Sequence, residues 1–212
     1  MRGFTLIELL IVAATIGILA AMLFPVLGKA KARAQRTRCQ NNLRQLTLSW
    51  VMYYQENSGR LTESYGSSNQ YAWVQGNMKD PNEAGDANLI KQGKLYQYNH
   101  DVGIYRCPTD KGAFVGGKNL ASVRSYSMNG FMGGRDPQLG AIPPSAKDYV
   151  PFFEKDSELR PVSDLWVFLD EDERSIDDGF FVIDPTAQRW YDFPPNSAYR
   201  HVFSYCLSFA DG

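Results

Sequence analysis

Cysteine is scarce in this sequence: Cys39, Cys107 and Cys206 are its three among 212 residues. They allow at most one internal disulfide, in three pairings, so a dense disulfide framework is excluded. Their spacing matches no zinc site. A nucleophile elbow, a phosphate-binding loop and a metal tetrad are all missing, and the chain is not read as an enzyme. Internal repeats and low-complexity tracts are missing too, which leaves no sign of a solenoid. Net charge is small as well, −1 overall, but unevenly placed. Residues 1–44 hold seven basic side chains (Arg2, Lys29, Lys31, Arg33, Arg36, Arg38, Arg44) against Glu8, which gives +6 and leaves −7 for the remainder. An acidic remainder argues against nucleic-acid binding there. It suits contact between the basic segment of one molecule and the acidic surface of another.

What the chain does have is one long apolar run. Phe4 to Leu27 is almost wholly apolar, and about 20 such residues suffice to cross a bilayer as a helix. Within it stands an acid, Glu8. A charge near the centre of a membrane helix costs roughly 2.5–3.5 kcal/mol, so it normally stays where it has a partner or a job. Snorkelling to the nearby interface is the plain alternative. A secretory signal has a shorter apolar core, about 7–15 residues, followed by a cleavage site of small residues that is not evident here.

Gly3-Phe4-Thr5-Leu6-Ile7-Glu8 resembles the processing site of type IV prepilins and type II secretion pseudopilins. The resemblance implies cleavage between Gly3 and Phe4 by a membrane-bound prepilin peptidase, methylation of the new Phe4 amine, and an assembly role for Glu8. It also implies a single-pass protein of the bacterial inner membrane with its head outside the cytoplasm, later drawn by an assembly platform into a filament of identical or related subunits. Counting positive charges favours the opposite placement of the Lys29–Arg38 side. The cleavage chemistry needs Gly3 at the cytoplasmic face and takes precedence.

Pro25 removes a helix donor and is expected to kink or loosen the helix, as a proline at this position does in pilins. After Gly28 the helix is expected to resume, since residues 29–54 contain neither Pro nor Gly. Cys39, Leu43, Leu46, Trp50 and Tyr53 form one apolar stripe for a head to cover. The helix should end near Asn57 and reach about 80 Å at 1.5 Å per residue. Four segments follow: a leader (1–3), a transmembrane assembly helix (4–27), an amphipathic stalk (28–57) and a head (58–212).

The head reads as a small antiparallel sheet packed on the striped half of the helix, an α+β arrangement. Asp86 can cap a short helix through Gln92. Candidate strands are Ile104–Cys107, Val123–Met128, Leu165–Leu169, Phe180–Ile183 and Val202–Ala210, with a long Pro- and Gly-rich loop from Met132 to Pro151. In the last strand Phe203, Tyr205, Leu207 and Phe209 alternate with Ser204, Cys206, Ser208 and Ala210.

Five head motifs are found in order: Tyr105-Arg106-Cys107-Pro108-Thr109-Asp110, Ser125-Tyr126-Ser127-Met128-Asn129, Phe168-Leu169-Asp170-Glu171, Asp178-Gly179-Phe180-Phe181, and His201 nine residues ahead of Asp211-Gly212. Together they resemble the prepilin-type family named for its C-terminal His-x9-Asp-Gly signature. Its members usually run some residues past the Asp-Gly, so a truncation at Gly212 would leave out a final strand. His201 and Asp211 bracket about 30 Å of extended chain and are read as turn and packing residues, not an acid–base pair. His100-Asp101 is read as a loop.

No cofactor is required. Asp170, Asp172, Asp177 and Asp178 form the acidic segment best suited to calcium, which wants several oxygen ligands; major pseudopilins are known for calcium in the head. Cys39–Cys107 is the preferred disulfide, with two buried thiols as the alternative, and Cys206 is read as a packed thiol. The expected function is that of a pilus or pseudopilus subunit in contact with membrane lipid. The alternative is a membrane-anchored module whose aromatics (Tyr71, Trp73, Trp190, Tyr191) bind polysaccharide or secreted cargo.

Overall fold

The computed structural model describes residues 5–65, 70–134, 152–184, 189–190, 192–194, 200–201 and 204–212. Gly3 and Phe4 lie outside them, as does most of the expected loop to Pro151. The dominant element is α1, Leu6–Glu56, 51 residues. It runs through Pro25 and Gly28 as one helix that ends one residue short of the expected Asn57. Pro25 lacks only its own donor, and the flanking residues are good helix formers.

Thr5 starts α1 with a capping box. Its hydroxyl accepts from the Glu8 amide at 3.3 Å, and Glu8 Oε2 accepts from the Thr5 amide at 2.8 Å. Asn57 stops it, donating to the Tyr53 and Tyr54 carbonyls, and Ser58 and Gly59 then turn with positive φ of 56° and 80°. No residue of α1 before Cys39 is buried, and an 18-residue window there has mean hydropathy 2.6, enough to cross a membrane by length and composition.

From Cys39 onward the helix is half covered. The stripe Cys39, Leu43, Leu46, Trp50 and Tyr53 is buried throughout, as its spacing predicts. It meets α3 (Tyr96–Asn99), the 3₁₀ turn Val102–Tyr105 and strands of the head. The helix α2, Ala87–Gln92, is capped by Asp86, whose carboxylate accepts from the Asn88 amide.

The strands are β1 (Ala113–Val115), β2 (Lys118–Leu120), β3 (Tyr126–Asn129), β4 (Trp166–Asp170), β5 (Phe180–Phe181), β6 (Ile183–Asp184), β7 (Arg189–Trp190) and β8 (Leu207–Phe209). The central sheet has the order β5-β3-β4-β8, antiparallel except for the parallel β3–β5 pair. A long N-terminal helix ahead of this small sheet is the α+β pilin-like arrangement. The pairs β1–β2 and β6–β7 are separate hairpins.

Two expected strands are corrected. Ile104–Cys107 is not a strand: its first two residues belong to a 3₁₀ turn, Val102–Tyr105, that Asp101 caps by accepting from the Gly103 amide at 2.7 Å. The last strand is short, Leu207–Phe209, and its small face is the buried one. Ser208 sits so close to α1 that Thr47 donates to its hydroxyl at 2.8 Å. Tyr205, Leu207 and Phe209 stay partly exposed. Small residues on that face let the strand approach the helix, and they bring Cys206 toward Cys39.

Candidate functional site

Two places concentrate chemistry. The first is the tip of α1. Glu8 sits among exposed Leu6, Ile7, Leu9 and Leu10, and its partners in the single chain are the amide and hydroxyl of Thr5, the latter at 2.7 Å. The carboxylate therefore stands beside the backbone of Thr5, at the start of the helix.

The second is buried, and the head motifs build it. The β4 register places Asp170 opposite Tyr126, and the Asp170 amide donates to the Cys206 carbonyl at 3.0 Å. The Ser125 hydroxyl accepts from the Cys107 amide at 2.7 Å and fixes that turn. His201 follows with φ of 47°, inside the head and 3% exposed. Its Nε2 lies 3.1 Å from Cys107 Sγ and 3.7 Å from Asp170 Oδ2. Cys39 arrives from α1, and Tyr126 donates its hydroxyl to the Cys39 sulfur at 3.2 Å. One donor atom each from Cys39, Cys107, Asp170 and His201 lies within 4.8 Å of every other.

An ion-pair network backs this group. Arg200 reaches Asp170 Oδ1 at 2.5 Å, Asp110 Oδ1 at 2.7 Å and Glu173 at 3.0 Å, and Arg106 reaches Asp110 at 3.0 Å. Burial pushes the Asp170 carboxyl up to about 7, although Arg200 and His201 pull the other way. Burial disfavours the His201 cation, but the nearby Asp170 carboxylate and the contact with Cys107 outweigh it and raise the imidazole to about 10. Interaction with Cys107 and Cys206 holds the Cys39 thiol high, and the same interaction with Cys39 draws Cys107 and Cys206 down. The cluster has the make-up of a soft-ligand site.

The expected sites fare differently. Cys39 and Cys107 are brought together, with all three cysteines as free buried thiols and no disulfide. The four aspartates of the calcium expectation do not gather among the described residues. Asp170 turns inward to Arg200, Asp172 pairs with Arg174 at 2.7 Å, and Asp177 pairs with Lys79 at 3.4 Å. Asp178 caps its own turn by accepting from the Phe180 amide at 3.1 Å. Each of these acids thus has a local donor among the described residues.

His201 and Asp211 stay apart, one buried and one exposed at the turn before Gly212. Of the aromatics considered for ligand binding, Trp73 is fully buried and donates to the Gly179 carbonyl at 2.8 Å. Tyr71 is part-exposed with Arg60 over its ring, and Tyr191 and the Trp190 side chain lie outside the described residues.

Arg200, buried Arg124 and the placement of Cys206 escape sequence reasoning. Arg124 donates to the carbonyls of Tyr126 (2.7 Å), Asp177 (2.8 Å) and Asp178. A basic residue in a polar segment gives no sign of burial; the one available hint was that Arg200 directly precedes the signature histidine.

No protein-family model matches the chain, and no solved structure matches it. Over 55 residues it is 46% identical to the type IV major pilin protein PilA of Myxococcus xanthus (strain DK1622); that stretch is 26% of this chain and 25% of that protein. The chain thus matches about a quarter of the length of this curated relative. With the exposed apolar N-terminal helix, this likeness fits a type IV pilin-like, membrane-anchored protein.

Proposed function

We propose that this chain is a structural subunit of a type IV pilus-like filament or type II secretion pseudopilus. It is inserted in the inner membrane, cut between Gly3 and Phe4 by a prepilin peptidase, methylated on Phe4, and assembled with like subunits by an inner-membrane platform. The observation that carries the reading is the uncovered half of α1. It exposes a continuous apolar surface from Leu6 to Leu27 in which none of the described residues is buried, with one carboxylate, Glu8, set in it.

Such a helix is unstable alone in water and is satisfied first by lipid, then by neighbouring helices. In a packed filament core Glu8 has a need that Thr5, its partner among the described residues, does not supply: a dry carboxylate requires a cation. The methylated Phe4 amine of an adjacent subunit provides one. Breaking the Thr5 contacts to make that pair costs only a surface capping interaction.

The test is the mass of the N-terminal peptide from chain expressed in a cell with a prepilin peptidase. A peptide beginning at N-methyl-Phe4, and one beginning at Met1 when Gly3 is replaced, is the expected result. An uncut Met1 terminus in the unaltered chain contradicts the reading. No catalytic role is proposed for the head. A binding-module reading has less support, because Trp73 is spent in the core.

A further inference from the structure

We propose that Cys39, Cys107, His201 and Asp170 bind one zinc ion that fastens the stalk helix to the head. The four donors come from four separate parts of the chain: α1, the turn after the 3₁₀ helix, the end of β4 and the segment before β8. Their spacing in the sequence is unlike a zinc finger, which is why the sequence alone gives no zinc signature. In space they converge. A tetrahedral zinc with bonds of about 2.3 Å to sulfur and about 2.0–2.2 Å to nitrogen and oxygen sets its donors roughly 3.3–3.8 Å apart. Here Nε2 of His201 is 3.1 Å from Cys107 Sγ and 3.7 Å from Asp170 Oδ2, so small adjustments suffice.

Two features distinguish this group from thiols packed as hydrophobes. Asp170 Oδ2 is fully buried without a hydrogen-bond partner, and it faces the cluster. A protein ordinarily satisfies such an oxygen, and leaving one bare is costly; a cation at the centre would satisfy it. The other oxygen, Oδ1, is held at 2.5 Å by Arg200, which orients the carboxylate as outer partners orient metal ligands. A cleft lined by Lys29, Ala32, Arg33, Arg36 and His201 lies next to the cluster, whose imidazole is itself withdrawn from solvent.

The donor set is soft and mixed, two thiolates, one imidazole and one carboxylate, and suits zinc over calcium or magnesium. All four positions are filled by the protein, which makes the site structural. The ion would do what a Cys39–Cys107 disulfide was expected to do, but it would also hold Asp170 and His201 and so close the head around the helix. Cys206 lies beside Cys39 without being needed as a ligand.

The experiment uses the full chain in detergent, loaded with zinc, dialysed, and measured for metal and protein together. About one zinc per chain is expected, with the content falling at least tenfold in Cys107→Ser and in His201→Ala and persisting in Cys206→Ser. Because a ligand variant can fold poorly, the unaltered chain is also loaded with cobalt(II), and the visible absorption of a tetrahedral thiolate site is expected. Chelator should lower the thermal midpoint and added zinc restore it. Absence of stoichiometric metal and of the cobalt band overturns the proposal. So does a disulfide among the three cysteines of the unaltered chain in the mass spectrum, or loss of zinc in Cys206→Ser, which would refute this donor set.

Discussion

Arg200 holds Asp170 at 2.5 Å with both side chains withdrawn from solvent, and the same guanidinium also reaches Asp110 and Glu173. One buried cation thus serves three carboxylates from two segments, Asp110 from one and Asp170 and Glu173 from the other. Removing it strands charge in the core. Arg200→Met is expected to destabilise the head by about 3–5 kcal/mol, the usual cost of breaking a buried pair from one side. Denaturant unfolding of the full chain in detergent checks this; a change below 1 kcal/mol would mean the network does not support the fold.

Gly179 explains why the Asp-Gly-Phe-Phe motif contains a glycine. A Cβ there would stand 2.8 Å from Trp73 Nε1 and 2.9 Å from the Ser64 carbonyl. Its own carbonyl accepts from that indole. Gly179→Ala is expected to cost about 1–3 kcal/mol by overpacking, and to shift the fluorescence of the protein as Trp73 moves. An unchanged unfolding midpoint and spectrum would refute this account of the motif.

Buried acids at the other edge of the sheet set a pH dependence. Burial raises Asp178 to about 7 and Asp192 to about 6, both from 3.8. With folded values above unfolded ones, the folded state keeps protons that the unfolded state has lost. The contribution is fully present below about pH 4 and is lost as pH rises through 6 to 7. The slope per group is at most about 1.4 kcal/mol per pH unit. The head is therefore expected to be more stable at pH 5 than at pH 8, and Asp178→Asn should flatten that slope. Unfolding midpoints that rise from pH 5 to pH 8 would contradict the assignment.

Much of this was legible in the chain because it rests on short-range rules. The stripe from Cys39 to Tyr53 has helical period and is the buried face, and Asp86 caps the helix it precedes. The 3₁₀ turn at Val102–Tyr105 was not legible, since a run such as Gly-Ile-Tyr reads equally well as a strand until Asp101 is seen to cap it. Nor was the buried cluster. Cys39 and His201 are 162 positions apart, and no local pattern records that β8 presents its small residues to α1. The local partners of the acidic segment were no more legible: Asp170, Asp172 and Asp177, close in sequence, each pair with a different cation.

The capping box at the start of α1 separates two roles of Glu8. Thr5→Ala removes the hydroxyl that accepts from the Glu8 amide but leaves the carboxylate free for a neighbour. It is expected to cost about 1 kcal/mol of helix-end stability and to leave filament assembly in place. Loss of assembly in Thr5→Ala equal to that in Glu8→Ala would show that the cap, not an intersubunit pair, is what matters.

The central claim is that Glu8 joins one subunit to the next, and counting fibres tests it most directly. Fibres sheared from cells carrying the matching assembly machinery would be imaged by electron microscopy, and their subunits identified by mass spectrometry. The unaltered chain is expected within those fibres, and Glu8→Ala is expected to be absent from them while its amount in the membrane fraction is unchanged. Equal fibre yield from Glu8→Ala would contradict the claim.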